Sequence, residues 1–267
     1  MTTSRAETAM NYLLLVVVCA FALGPIVVVL VTSLQPDLGG GGIAWGNYAE
    51  AWSQGSFARY LRTSALVSAT VLVVALTASV LAGYAFGTMT FRGSTVVFSL
   101  VLVGIMVPTE AIVVPLFYDL RTLGLTNTLW AVAFPQMAQS IAFGSYWMRA
   151  YFRTAPRSLM EAARLDGASE RRVLWSILVP VGRPAIVTMT VLVFMWTWNE
   201  FLIPLVMSPN GAYRTAPLAL ALFQGQHVQA TSLLAAAAVL VALPVVVVYL
   251  FLQRHFIRGM LEGAVRE

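Results

Sequence analysis

Apolar residues in this chain come in long blocks, near 13–34, 63–87, 94–118, 129–150, 185–207 and 231–253, separated by short polar stretches. At roughly 1.5 Å of rise per helical residue, each block is long enough to cross about 30 Å of hydrocarbon. Backbone groups in lipid must be paired inside a helix or a closed barrel, and no alternating ten-residue strands occur. The pattern predicts an all-α integral membrane protein of six transmembrane helices, one domain over 1–267, with both termini on the same side. The first block is longer than the apolar core of a signal peptide and no small-x-small cleavage pattern follows it before Pro36, so it is expected to be retained.

The polar stretches differ in kind. Gly39 to Gly42, then Trp45, Tyr48 and Trp52, read as a flexible turn followed by a short amphipathic piece at the membrane interface. Thr88–Gly93 and Arg121–Thr128 are short, so the second to fourth spans are expected to pack as antiparallel neighbours. The stretch 151–184 between the fourth and fifth spans is instead charged and carries capping signals. Pro156 suits a first helical turn, and Asp166-Gly167 suits the left-handed end of a short helix. Ser169 suits the cap of a second helix with Glu170 in its first turn, and Pro180 is expected to end it before Pro184 opens the fifth span. A soluble-looking helical hairpin is therefore predicted on one membrane face, where it either links two spans or meets a partner.

Composition then sharpens the picture. Hydrophobic residues fill 59% of the 267 positions and charged ones 10%, against about 25% charged in soluble domains. All 16 basic residues are arginine. Twelve of them (Arg5, Arg92, the seven from Arg149 to Arg183, Arg254, Arg258 and Arg266) fall on the side of the hairpin and termini, against Arg59, Arg62, Arg121 and Arg214 opposite. By the positive-inside rule the richer side is cytoplasmic, which accounts for a pI near 9.7 without nucleic acid. The lone Cys19 excludes an intrachain disulfide and reads as a small apolar residue within a span. No lysine is present, so no phosphate-cradling P-loop can form; ATP and its magnesium, if used, belong to another polypeptide. His227 and His255 have no second ligand at metal-binding spacing, and nothing resembles a nucleophile elbow.

The run Glu161-Ala162-Ala163, Asp166-Gly167, Ile177 and Pro180 resembles the signature loop of permease subunits in bacterial ATP-binding-cassette importers. Asn47-Tyr48, Val107-Pro108 with Pro115-Leu116, and Leu123 to Thr128 resemble the carbohydrate-uptake branch, in particular its smaller maltose-type permease. Trp198-Asn199-Glu200-Phe201 and the tail Gln253 to Phe256 with Gly263-Ala264-Val265 do so too. Val179 and the terminal Arg266-Glu267 depart slightly from that pattern. The resemblance implies a non-catalytic subunit of the bacterial cytoplasmic membrane that pairs with a second permease and stands on two cytosolic ATPases. It further implies an extracytoplasmic solute-binding protein, no cofactor in this chain, and coupling to the ATPase through Glu161, Ala162, Ala163, Asp166 and Gly167.

Ionisable side chains inside a bundle cost roughly 2.5–3.5 kcal/mol each on insertion scales, so Glu110 and Glu200 are expected to face the interior or a cavity. Counting rise from Ser94 and from Ala185 puts both roughly 22–24 Å from the cytoplasmic end. Gln136 and Gln139 are expected at the same depth, with Pro108, Pro135 and Pro204 bending the helices around them. Trp196, Asn199, Glu200 and Ile203 fit one helix face, an aromatic platform beside an amide and a carboxyl. That chemistry suits a sugar path through Glu110, Gln136, Gln139, Trp196, Asn199 and Glu200; it equally suits groups that tie helices together or hold a gate. Trp198 is expected in packing, and Tyr146, Trp147 and Trp175 at the cytoplasmic interface. A glycerol-phosphate-type anion is the alternative cargo. A proton-coupled carrier would explain the acids but not the hairpin, and no inverted repeat is evident.

Overall fold

The computed structural model describes residues 5–36, 42–226 and 231–264, and among them every regular element is helical. In chain order these are α1 (Arg5–Ser33), α2 (Gly46–Gln54), α3 (Phe57–Thr88), α4 (Ser94–Met106), α5 (Thr109–Thr122) and α6 (Leu129–Thr154). Then follow α7 (Arg157–Leu165), α8 (Glu170–Arg172), a π-helical segment (Val173–Leu178), α9 (Val179–Val181) and α10 (Arg183–Asn199). The chain closes with α11 (Leu202–Met207), α12 (Ala216–Gln226) and α13 (Thr231–Ala264). Helices α1, α3 and α13 are each long and apolar enough to cross a membrane, and the total is five if two bent pairs, α4 with α5 and α8–α9 with α10, each count as one span. His227 and the tail from Val265 lie outside the described residues, as do Gly39 to Gly41 of the first loop.

Two compact units emerge, Met1–Ala58 with Ala219–Pro244, and Arg59–Leu218 with Val245–Glu267. In the first, α1 exposes its apolar side chains along nearly its whole length, with only Ser33 buried, as a lipid-facing helix does. Its end is closed by α2. The amide of Asn47 donates to the carbonyls of Ser33 and Gln35, both at 2.9 Å, and the hydroxyls of Ser33 and Tyr48 share a 2.7 Å bond. Asn47-Tyr48 thus satisfies carbonyls that the last helical turn leaves without a partner.

The second unit is built around α6, which packs against α4, α10 and α11. Ser79, Gly83 and Gly87 lie four residues apart on one face of α3, and their lack of bulk lets α3 meet α6 backbone to backbone. A Cβ on Gly83 would fall 2.4 Å from that of Met148, and one on Gly144 would fall 2.1 Å from the Ser79 hydroxyl. Arg149 fastens one end of the same contact: its Nε donates to the Phe86 carbonyl at 3.2 Å and its guanidinium lies 3.8 Å over the Phe98 ring.

Left-handed glycines end two helices, the second of them where the sequence placed it. Gly124 (φ +69°) ends α5, with Leu125 N–H donating to Leu120 and Gly124 N–H to Arg121. Thr128 then caps α6 by accepting from Ala131 N–H at 3.3 Å. Gly167 (φ +78°) ends α7 in the same way, with Ala168 N–H donating to Ala163 and Gly167 N–H to Arg164. Ser169 caps α8 as anticipated, accepting from Arg172 N–H at 3.4 Å.

Other expectations need correction. Pro156 is the cap preceding α7, not a residue of its first turn. Pro180 does not end the second hairpin helix; helical structure continues to Val181 and stops at Gly182. The preceding π turn explains why: its wider ring spacing shifts the carbonyl that a proline would strike in an α-helix. The blocks at 94–118 and 185–207 are not continuous helices. The first turns through 100° between α4 and α5, and the second breaks between α10 and α11.

Candidate functional site

Both helix breaks follow from proline. Pro108 restricts Val107 to extended backbone (φ −76°, ψ 118°), so α4 must stop there, and α5 starts afresh with Glu110 in its first turn. Pro204 stands four residues after Glu200, and its ring would meet the Glu200 carbonyl in a continuous helix. Glu200 is accordingly extended (φ −65°, ψ 124°), and its carbonyl accepts instead from the Thr215 hydroxyl at 3.4 Å. The side chain is reused: Glu200 Oε1 accepts from Ile203 N–H at 3.0 Å and caps α11. Both carboxylates therefore sit at the positive ends of helices, where a negative charge is favoured.

These breaks open a cavity of about 640 Å³ lined by the ends of α4 and α10, the first turn of α5 and one face of α6. All six residues anticipated as a polar layer, Glu110, Gln136, Gln139, Trp196, Asn199 and Glu200, are in its wall. Gln139 donates to the Thr109 hydroxyl and so ties α6 to the start of α5. Gln136 donates to its own helix at Val132, 2.8 Å away, while its buried Oε1 accepts no hydrogen bond. Asn199 likewise donates back to Met195 at 2.8 Å. Trp196 is half exposed and meets Phe143 edge-on at 4.7 Å between ring centroids. No lining residue is cationic.

Details of the expected geometry change. The rise count for Glu110 fails, because α4 stops at Met106 and the chain then leaves that axis. Ile203 does not share a helix face with Trp196; it is buried on α11, beyond the break. Trp198 is buried against Phe194, in packing as expected. Trp147 is more than an interfacial anchor: its indole N–H donates to the Ala185 carbonyl at 3.0 Å, joining α6 to α10. Thr109, Ser140 and Phe143 are lining residues that sequence reasoning passed over, although Gln136, Gln139, Ser140 and Phe143 follow the spacing of one helical face.

The hairpin presents a second surface. Glu161, Ala162, Asp166 and Gly167 are exposed, whereas Ala163 is buried with Met160 against the rest of the unit. Leu165 is 89% exposed at the tip of α7, an unusual place for leucine. Glu161 also lines a hollow of about 390 Å³ with Arg153, Arg157 and Arg164.

Residues 75–262 match the family described as the binding-protein-dependent transport system inner membrane component. The chain belongs to that family. It is 30% identical to the trehalose transport permease SugB of Mycobacterium tuberculosis, over 93% of this chain and 94% of the relative. It is 33% identical to the arabinooligosaccharide transport permease AraQ of Halalkalibacterium halodurans, over 79% of this chain and 75% of the relative. Identity to the trehalose/maltose permease MalG of Thermococcus litoralis is also 33%, over 79% and 76%. Among solved structures, a bacterial ATP-binding-cassette transporter that imports the acidic polysaccharide alginate superposes with a TM-score of 0.79 at 24% identity, covering 96% of this chain and 99% of that one. The resemblance drawn from Glu161–Pro180 and the branch motifs is thus shown: this is a permease of the ATP-binding-cassette importers, of the carbohydrate-uptake type.

Proposed function

We propose that this permease carries a neutral sugar, oligosaccharide or sugar derivative through the 640 Å³ cavity, driven by ATP hydrolysis on separate subunits. The observation that carries the reading is the lining. Two carboxylates, three amides and two threonine hydroxyls surround a half-exposed tryptophan ring, with no cation among them. Sugar hydroxyls donate to carboxylate and amide oxygens, and the apolar face of a pyranose stacks on an aromatic ring. The volume falls within the roughly 300–1,000 Å³ of small-molecule sites. The relatives named for trehalose, maltose and arabinooligosaccharides support the same class. An anion such as a glycerol phosphodiester would meet Glu110 and Glu200 without a compensating arginine from this chain.

On this reading six spans hold the chain in a bacterial cytoplasmic membrane, with both termini and the α7–α9 hairpin inside. A second permease completes the path, a solute-binding protein delivers cargo from outside, and two ATPases seat the hairpins. ATP-driven closure of the ATPases moves the hairpins together and exposes the cavity to the outside by rigid-body motion. Ala162 and Gly167 supply a surface without bulk, Glu161 offers a charge, and Leu165 adds an apolar contact. The test is reconstitution in proteoliposomes with the permease, ATPase and binding protein encoded nearby. Uptake of a neutral oligosaccharide, lowered about tenfold by Trp196→Ala, is expected; preferential uptake of a phosphodiester would overturn the cargo assignment.

A further inference from the structure

We infer that Glu170 is a positioning residue that latches the hairpin to α3, so that movement imposed on the hairpin is passed into the membrane helices. This deepens the coupling reading and rests on it. Among the described residues of the second unit, Glu170 is the one carboxylate whose two oxygens are engaged from two different elements. Arg164, on α7, donates from Nε to Oε1 at 2.8 Å and from its terminal nitrogen to Oε2 at 3.2 Å. Tyr84, on α3 and 86 residues away in sequence, donates its hydroxyl to the same Oε2. One side chain on α8 therefore joins the other hairpin helix and a membrane helix.

The joint is built asymmetrically. Tyr84 is only 4% exposed and its ring packs edge-on against Phe152 of α6 at 5.9 Å. Its backbone sits between Gly83 and Gly87, where α3 and α6 are in direct contact. The Tyr84 end is thus fixed to the rigid centre of the unit, whereas Arg164 and Glu170 are about half exposed. Below the latch, the hairpin has other contacts through Met160, Ala163, Val173, Leu174 and Leu178, all buried in the common core. Those apolar contacts set that the hairpin packs; they are non-directional and permit sliding. A charge-assisted hydrogen bond to a phenol is directional and fixes the hairpin's angle to α3. Tyr84 and Glu170 line neither the transport cavity nor the hollow beside Glu161, whereas Arg164 shares that hollow and so links the latch to the docking face.

The experiment uses the full reconstituted importer and measures cargo taken up per ATP hydrolysed. Tyr84→Phe keeps the ring and removes only the bond, and it is expected to lower that ratio at least about tenfold, the lower end of the scale of one hydrogen bond to a charged group. ATP hydrolysis stimulated by the loaded binding protein, and co-purification of the ATPase, are expected to stay at the wild-type level. Glu170→Ala should lower the ratio at least as far, and adding Tyr84→Phe to it should change nothing more, because both act through one contact. A wild-type ratio in Tyr84→Phe overturns the latch, and so does a loss of ATPase binding in step with uptake, which would make the contact part of docking. The wild-type complex decides the underlying reading separately: absence of ATP-dependent uptake there would remove coupling altogether.

Discussion

Gln136 gives its amide nitrogen to its own helix and keeps a buried carbonyl oxygen with no partner, at 4% exposure in the wall of the cavity. A buried acceptor left open is costly, and replacing it by an apolar group of similar shape removes that cost. Gln136→Met is therefore expected to leave thermal stability in detergent within about 1 kcal/mol of wild type, while raising the KM for uptake about three- to tenfold. Unchanged uptake kinetics would make the residue packing alone. Gly167 separates two demands in a similar way. Nothing lies within 4 Å of a Cβ placed on it, but its φ of +78° disfavours other residues. Gly167→Ala should cost about 1–2 kcal/mol in hairpin stability, and asparagine, which enters the left-handed region more readily, should cost less. If asparagine restores folding of the hairpin but not uptake, measured by hydrogen exchange and transport, the position also serves contact with the ATPase. The residue scale was the most legible in sequence: intramembrane charge and amides marked the polar layer. The Glu200 cap and the Tyr84–Glu170 bond were not legible, since the first depends on a helix break and the second on a contact 86 residues apart.

Among the elements, the broken helices and the hairpin carry the account. Prolines were visible in the sequence, but hydropathy is blind to a change of direction, so α4–α5 and α10–α11 each read as one apolar block. Capping signals did better: Gly167 and Ser169 closed and opened their helices as expected, whereas Pro180 misled because a π turn absorbs it. The hairpin should respond to acid. Hydrogen bonds from Arg164, and then from Tyr84, hold the Glu170 carboxyl below the usual glutamate range, and the same bond raises the Arg164 guanidinium further. A carboxyl depressed in the folded state contributes stability that is present above its unfolded pKa and is lost as pH falls through the folded value. Amide exchange across 157–181 is thus expected to be pH-independent in its protection at neutral pH and to speed up only below the ordinary glutamate range. Glu170→Gln should lack that acid step, and an acid step that persists in this variant would assign it to another group.

For the molecule as a whole, composition and apolar blocks were enough to reach an all-helical membrane protein, and short motifs were enough to reach its family. Sequence could not divide the chain into its two compact units, because that depends on which helices touch. On the function proposed above, the permease is moved through its hairpin by another protein's ATP hydrolysis. The most direct measurement is uptake by proteoliposomes holding the complete complex, with wild-type permease beside Glu161→Arg. Uptake that requires ATP inside the ATPase compartment, and that Glu161→Arg abolishes while the permease remains inserted, is the expected result; uptake by this chain alone on a proton gradient, without ATP, would contradict it.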